Sequence, residues 1–134
     1  MPTGYSGTPL AKKLGLKEGS ALWAKGIPAS VRAEIEQSVC PRYLARPGKD
    51  LAAAHVFHTS AAKLEADLRK LRGLLASDGM VWVSWPKKTA KMDTDITEDT
   101  IRAIALPMGF VDVKVCAVDA TWSGLKLVIR KALR

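Results

Sequence analysis

Cysteine is scarce in this sequence: Cys40 and Cys116 are the only two among 134 residues. They lie far apart and match neither the spacing of zinc ligands nor a disulfide framework. We therefore expect free thiols, no metal site and a cytoplasmic location.

Long apolar runs are missing as well. No run approaches the ~20 residues that a membrane-spanning helix needs, and the first thirty residues contain no continuous apolar segment of the kind found in signal peptides. These two absences predict that a membrane is not a partner of this chain.

Motifs that would define an enzyme class are also absent. The chain has no Gly-x-Ser-x-Gly, no phosphate-binding loop, no zinc spacing and no dinucleotide fingerprint. No motif therefore decides whether this protein is an enzyme.

Positive charge, in contrast, is present in excess. Lysine and arginine total 21, aspartate and glutamate total 13, and the formal net charge is +8. Such an excess favours anionic partners, which are nucleic acid, an acidic membrane surface, or phosphorylated and carboxylated metabolites, and it does not choose among them. The basic residues are scattered, with pairs at Lys12-Lys13 and Lys87-Lys88 and no longer block, so a solvated basic surface is the simpler interpretation.

The stretch from Gly79 to Lys88 organises the predicted fold. Asp78-Gly79 indicates a turn, an almost continuous apolar run follows, and Pro86 ends it. A run that is apolar at every position is typical of a strand buried on both faces, as in a parallel sheet covered by helices. The length fits one α/β domain over residues 1–134, with the Gly- and Ser-rich residues 1–8 as an amino-terminal arm.

Hydrophobic periodicity and capping signals predict the other elements. Thr8 as a cap and Pro9 as the first residue begin a short helix that Gly15 ends, and Thr97 caps a later helix. Further helices are expected over 29–39 and 61–76, and a short strand near 43–45. In strand 110–118 we expect alternate residues from Val111 to Ala117 to share one face. The predicted sheet order is 21–24, 51–57, 80–85, 125–130, 110–118.

A candidate ligand cleft follows from this order, because open α/β sheets bind ligands at the carboxyl ends of their parallel strands. There the chain would place a titratable base, two cations, a carboxylate and two flat aromatic walls. This set suits a small anion with an apolar or ring portion. Its predicted members are His58, Thr59, Trp85, Lys87, Lys88, Asp119 and Trp122.

Each candidate also has a structural interpretation. His58 is the best-placed acid or base by residue type, but a hydrogen-bonded structural histidine is the more common case. His55 and His58 should face opposite ways on a strand, which argues against a shared metal site. The acids around Glu98 and Asp99 suit a helix amino end better than a cation.

The order of elements resembles that of methyltransferases that use S-adenosylmethionine. The resemblance lies in Leu-Leu-Ala-Ser-Asp-Gly at 74–79 before a buried strand, and in Gly109-Phe110 followed by a strand, a hairpin and a last strand. It implies a three-layer, Rossmann-like, mainly parallel sheet with a carboxyl-terminal antiparallel hairpin. In that family the first strand leads into a Gly-rich turn at the cofactor, whereas here Lys25-Gly26-Ile27-Pro28 follows.

Over its whole length the chain resembles a small bacterial family classed as a domain of unknown function. The shared stretches are 4–15 (Gly-Tyr-Ser-Gly-Thr-Pro-Leu-Ala-Lys-Lys-Leu-Gly), Trp-Val-Ser-Trp-Pro-Lys-Lys at 82–88, and 112–119 with Trp122-Ser123-Gly124. This resemblance implies no particular activity.

Three functional hypotheses follow. The first is a ligand- or protein-binding module of methyltransferase-like fold that lacks the cofactor motif and holds no cofactor. The alternative is a methyltransferase that binds S-adenosylmethionine. The third is a basic protein that binds nucleic acid through its positive surface.

Overall fold

A computed structural model describes residues 7–134 of the chain. Of the predicted amino-terminal arm, residues 1–6 lie outside the described part. No helix within 7–134 is both long enough and apolar enough to cross a membrane.

Residues 7–134 form four helices and six strands, with short 3₁₀ turns at 88–90, 106–108 and 131–133. In chain order the elements are α1 (Leu10–Lys13), β1 (Ala21–Lys25), α2 (Ala29–Glu36), β2 (Arg42–Tyr43), β3 (Leu51–Phe57), α3 (Ala61–Leu74), β4 (Leu75–Pro86), α4 (Glu98–Ala105), β5 (Phe110–Ala117) and β6 (Trp122–Ile129).

The strands form one six-stranded sheet in the order β2-β1-β3-β4-β6-β5. β2, β1, β3 and β4 pair in parallel, and β6 is antiparallel to both β4 and β5. The predicted strand order and the antiparallel end are confirmed. The structure adds β2 as an edge strand, one residue earlier than the expected strand near 43–45.

Two apolar cores cover the two faces of this sheet. On one face α3 and α4 pack against the sheet through buried residues such as Leu68 and Ile101. On the other face α1 and α2 pack around Trp82, whose Nε1 donates a hydrogen bond to the Leu14 carbonyl at 2.9 Å. This bond holds the short α1 on the sheet, since a helix of four residues is not stable alone.

The predicted turn at Asp78-Gly79 is wrong. α3 ends at Leu74, and β4 begins at once at Leu75 and continues through Gly79. Leu75 pairs with Leu51, and the register then shifts before Ala53 pairs with Met80. Pairing with β3 therefore overrides the local turn signal, and the extra residues form an irregular stretch of strand.

Other corrections come from the element ends. α1 begins at Leu10 with Pro9 at the N-cap position, one residue later than the predicted Thr8 cap. α2 ends at Glu36 rather than at 39. In β5 a register shift between Asp112 and Lys114 breaks the expected alternation, and Val113 and Val115 lie exposed.

Gly79 lies where the backbone of β4 approaches the start of β3 closely. A Cβ atom there would lie 2.7 Å from the Leu51 carbonyl oxygen and 2.8 Å from the Leu75 side chain. Gly73 is the matched control, because nothing lies within 4 Å of its Cβ position in α3.

Gly79→Ala should lower the free energy of unfolding by about 1–3 kcal/mol through overpacking. Gly73→Ala should raise it by about 0.5–1 kcal/mol through helix propensity. Urea denaturation of both variants measures these changes. An unchanged free energy of unfolding in Gly79→Ala would show that the close approach does not constrain β4.

Candidate functional site

The carboxyl ends of β1, β3, β4 and β5 meet at one edge of the sheet. This follows from the pairing, because β5 is antiparallel to β6 and β6 is antiparallel to β4. Residues that follow these strands therefore lie along one rim, which is where ligands of open α/β sheets bind.

A cleft of about 760 Å³ opens where β4 ends. Its walls come from the end of β4, the following 3₁₀ turn, the loop before α4 and the first turn of α4. We call it the Trp85 cleft. It is lined by Trp85, Pro86, Lys87, Lys88, Met92, Thr94, Ile96, Thr97, Glu98 and Asp99.

A smaller, polar cavity adjoins the Trp85 cleft. It measures about 390 Å³ and shares Thr94 with the larger cleft. Its other lining residues are Thr59, Ser60, Asp93 and Asp95. Hydrogen bonds hold this region together: Thr94 Oγ1 donates to the Thr59 carbonyl at 2.9 Å, and Asp95 Oδ1 accepts from the Ala61 backbone N–H at 2.8 Å.

The acidic residues in the first turn of α4 pair with an arginine of the same helix. Thr97 caps α4 by accepting a hydrogen bond from the Thr100 backbone N–H, as its sequence position predicts. Glu98 and Asp99 in the first turn pair with Arg102. Among residues 7–134 no group of three or more His, Cys, Asp or Glu side chains is arranged to hold a metal ion.

The structure brings some of the seven predicted cleft residues together and separates others. Trp85, Lys87 and Lys88 line the Trp85 cleft, and Thr59 lines the adjoining cavity. His58 precedes Thr59, and its ring is directed to Asp67 on α3.

Asp119 and Trp122 line neither cavity, although their hairpin touches the end of β4, where the Lys87 backbone N–H donates to the Thr121 carbonyl at 2.8 Å. Asp119 Oδ1 accepts from the backbone N–H groups of Thr121 and Trp122, at 2.8 and 2.7 Å, and so shapes the hairpin turn. Trp122 packs edge-on against Phe57 in the core below α1 and α2, whereas Trp85 belongs to the core below α3 and α4. Trp122 pairs with Pro86, so it lies on the face opposite Trp85 because neighbouring strand residues face opposite ways.

His58 belongs to a chain of three charged or polar groups at the end of β3. Its Nε2 lies 2.6 Å from Oδ2 of Asp67, and Lys25 Nζ lies 2.9 Å from Oδ1 of the same carboxylate. An ionised carboxylate can only accept hydrogen bonds, so Nε2 of His58 carries a proton and donates a hydrogen bond to Asp67.

Sequence reasoning missed Asp67, although a signal was available. Asp67 lies next to Leu68 and one turn from Leu64 and Leu71, on the buried side of α3. Aspartate is rarely buried without a partner. An acid on the apolar stripe of a helix therefore indicates a buried cation or histidine opposite it.

His55 lies fully inside the sheet, away from the rim. Its Nε2 lies 2.7 Å from Oγ of buried Ser84, and its ring stacks on Phe57 with centroids 4.3 Å apart. Nδ1 is buried without a hydrogen-bond partner in the described part of the chain. Burial lowers the pKa of His55 from 6.5 to about 3, so the ring stays neutral in the folded protein.

Comparisons with known proteins identify the fold. The sequence matches no protein-family model, and no curated protein matches it. Solved structures of methyltransferases do match. A TehB-like SAM-dependent methyltransferase from Corynebacterium glutamicum aligns over 95% of this chain and 90% of its own, with a TM-score of 0.55 and 9% identity.

Two further structures agree. A SAM-dependent methyltransferase from Aquifex aeolicus gives a TM-score of 0.59 at 13% identity, covering 90% of this chain and 87% of its own. The CcbJ methyltransferase from Streptomyces caelestis gives 0.58 at 6% identity with the same coverage. Identities this low establish the fold alone, since one fold hosts many functions. The chain has a methyltransferase-like Rossmann fold, as its sequence predicts.

The buried His55 makes stability depend on pH. Below about pH 6.5 the unfolded chain binds a proton that the folded chain takes up only near pH 3, so the free energy of unfolding falls as the pH drops through this window. Between pH 7 and pH 5 the loss should be about 2 kcal/mol.

Urea denaturation of the wild type and of His55→Gln at both pH values measures this loss. His55→Gln should remove most of it, because the amide does not titrate. His58→Gln changes the other of the two histidines and should retain it. Equal pH dependence in the wild type and His55→Gln would contradict the assignment.

Proposed function

We propose that this protein is a binding module of methyltransferase-like fold that takes a small anionic ligand with an apolar or ring portion in the Trp85 cleft. The observation that carries the proposal is the juxtaposition of Trp85, Lys87 and Lys88 in one concave site at the carboxyl end of β4. Ligand pockets commonly measure about 300–1,000 Å³ and combine apolar walls with few polar groups.

The chemistry of the cleft supports this ligand class. Trp85 offers an apolar ring face for a flat group. Lys87 and Lys88 supply ammonium donors for a carboxylate or phosphate, and neither forms a salt bridge within residues 7–134. Thr94 and Thr97 also line the cleft, but the Thr94 hydroxyl already donates its proton to the Thr59 carbonyl.

The residues after β1 do not fit S-adenosylmethionine in the way the methyltransferase family holds it. A Cβ atom at Gly26 would lie 3.0 Å from the Phe57 carbonyl oxygen, so this backbone packs on β3. Lys25, at the end of β1, is paired with Asp67. The residue three positions beyond β2 is Arg46, where a carboxylate for the ribose would be expected nearby.

A methyltransferase is the second candidate, and the fold favours it. The solved structures that match are methyltransferases, two of them described as SAM-dependent, and the sheet edge of the Trp85 cleft is the edge at which such folds bind ligands. Isothermal titration with S-adenosylmethionine and S-adenosylhomocysteine decides between the two. The binding-module proposal predicts no heat of binding, and micromolar binding of either compound would overturn it in favour of the enzyme.

Phenyl phosphate is a direct probe of the cleft, because it combines a ring with an anion. It should bind more tightly than inorganic phosphate or benzyl alcohol. Changing Lys87 and Lys88 together to Ala should weaken its binding about tenfold, equivalent to about 1.4 kcal/mol. The stability should change by no more than about 0.5 kcal/mol, because both are surface residues.

The matched control is Lys63→Ala with Lys70→Ala, which removes two exposed lysines from α3 outside the cleft. Saturation-transfer NMR and titration calorimetry should show unchanged phenyl phosphate binding in this variant. Trp85→Ala, in contrast, should lose both binding and about 3–5 kcal/mol of stability, since Trp85 is part of the core. Equal affinity of both double variants for phenyl phosphate would contradict the assignment of the binding site to the Trp85 cleft.

A further inference from the structure

Four lysines from separate parts of the chain gather on the sheet face that carries α1. They are Lys13 at the end of α1, Lys17 in the loop before β1, Lys114 on β5 and Lys126 on β6. We call them the α1-face lysines. In the sequence they are scattered, and only the fold brings them together.

Lys114 and Lys126 are direct cross-strand partners in the antiparallel pair of β5 and β6. Residues opposite one another in such a pair have side chains on the same face. Like charges in this position repel each other and destabilise the sheet. Two lysines here are therefore costly for folding, and an anion bound between them would remove that cost.

Lys17 and Lys126 line a common cavity of about 250 Å³ at the amino end of the sheet. Asp78 is the carboxylate among the residues that line it. Lys13 joins the group through Cys116: burial raises the pKa of the Cys116 thiol, and the charges of Lys13 and Lys114 both oppose that rise. Both ammonium groups therefore lie near this thiol.

None of the α1-face lysines forms a salt bridge with a residue of 7–134. Asp67, Glu98 and Asp112, in contrast, each pair with a cation elsewhere in the fold. Four lysines without a salt bridge therefore share this face, in a chain whose net charge is +8.

We propose that the α1-face lysines bind the phosphodiester backbone of nucleic acid. Ammonium groups act as point charges towards phosphate, and several of them on one face match the closely spaced charges of a duplex. Arginine, the residue best suited to reading guanine edges, is missing from the group. Binding is therefore independent of base sequence and separate from the Trp85 cleft, whose walls α3 and α4 flank on the other face.

Fluorescence anisotropy with a labelled mixed-sequence 20-base-pair DNA, titrated at several NaCl concentrations, tests this proposal. The logarithm of the binding constant should fall linearly with the logarithm of salt concentration. Lys114→Gln with Lys126→Gln should reduce the magnitude of that slope by about 1.8, because each lost phosphate contact contributes about 0.9. The melting temperature of this variant should stay equal or rise, since the cross-strand repulsion is removed.

The control is Lys63→Gln with Lys70→Gln, which removes the same charge from exposed positions on α3, on the opposite face. Its slope should equal that of the wild type. An equal decrease of the slope in both double variants would show that DNA is attracted by the net charge alone, and would overturn the assignment of binding to this face. Absence of DNA binding at 20 mM NaCl (a concentration of the order used to favour charge-driven binding) would overturn it as well. So would equally tight binding of poly-glutamate, which would indicate an acidic protein as the partner.

Discussion

β3 and β4 pair in parallel from Ala53 and Met80 to Phe57 and Ser84, and nearly every side chain along this pairing is buried. Both helical layers pack on these two strands, one on each face. The loops that follow them, from His58 and from Lys87, carry the residues that meet at the carboxyl edge. A change in this register would turn every side chain to the other face and so dismantle both cores and the Trp85 cleft together.

Elements whose signals are local were predictable from the sequence. The almost continuous apolar runs of 51–57 and 80–85 indicated buried parallel strands. Thr97 indicated the start of α4, because a cap depends on residues only three positions apart. The Asp78-Gly79 turn failed for the opposite reason. Whether this dipeptide turns or extends depends on pairing with Leu51, which local sequence does not specify.

The candidate site was predictable in part for the same reason. Trp85 lies at the end of β4 and Lys87 and Lys88 follow it directly, so their common position depends only on where this strand ends. Asp67 reaches His58 from α3, and Lys114 reaches Lys126 across a strand pair with a shifted register. Contacts of this kind depend on helix rotation and strand register, which are set by packing. Trp122 was expected beside Trp85 because both lie at the same edge of the sheet. Its side chain lies on the opposite face, since the position along a strand and the face of the sheet are set separately.

The wall that Thr94 shares between the two cavities is held mainly by hydrogen bonds. Four of them join residues 94–96 to one another and to 59–61, whereas Ile96 is the buried apolar anchor of this segment. Hydrogen bonds near solvent contribute only about 0.5–1.5 kcal/mol each. Local opening of this segment would break these four bonds and expose Ile96 while leaving the hydrogen bonds of the sheet intact. If the Trp85 cleft holds the ligand proposed for it, that ligand would exchange through local opening of this short segment and would not require global unfolding.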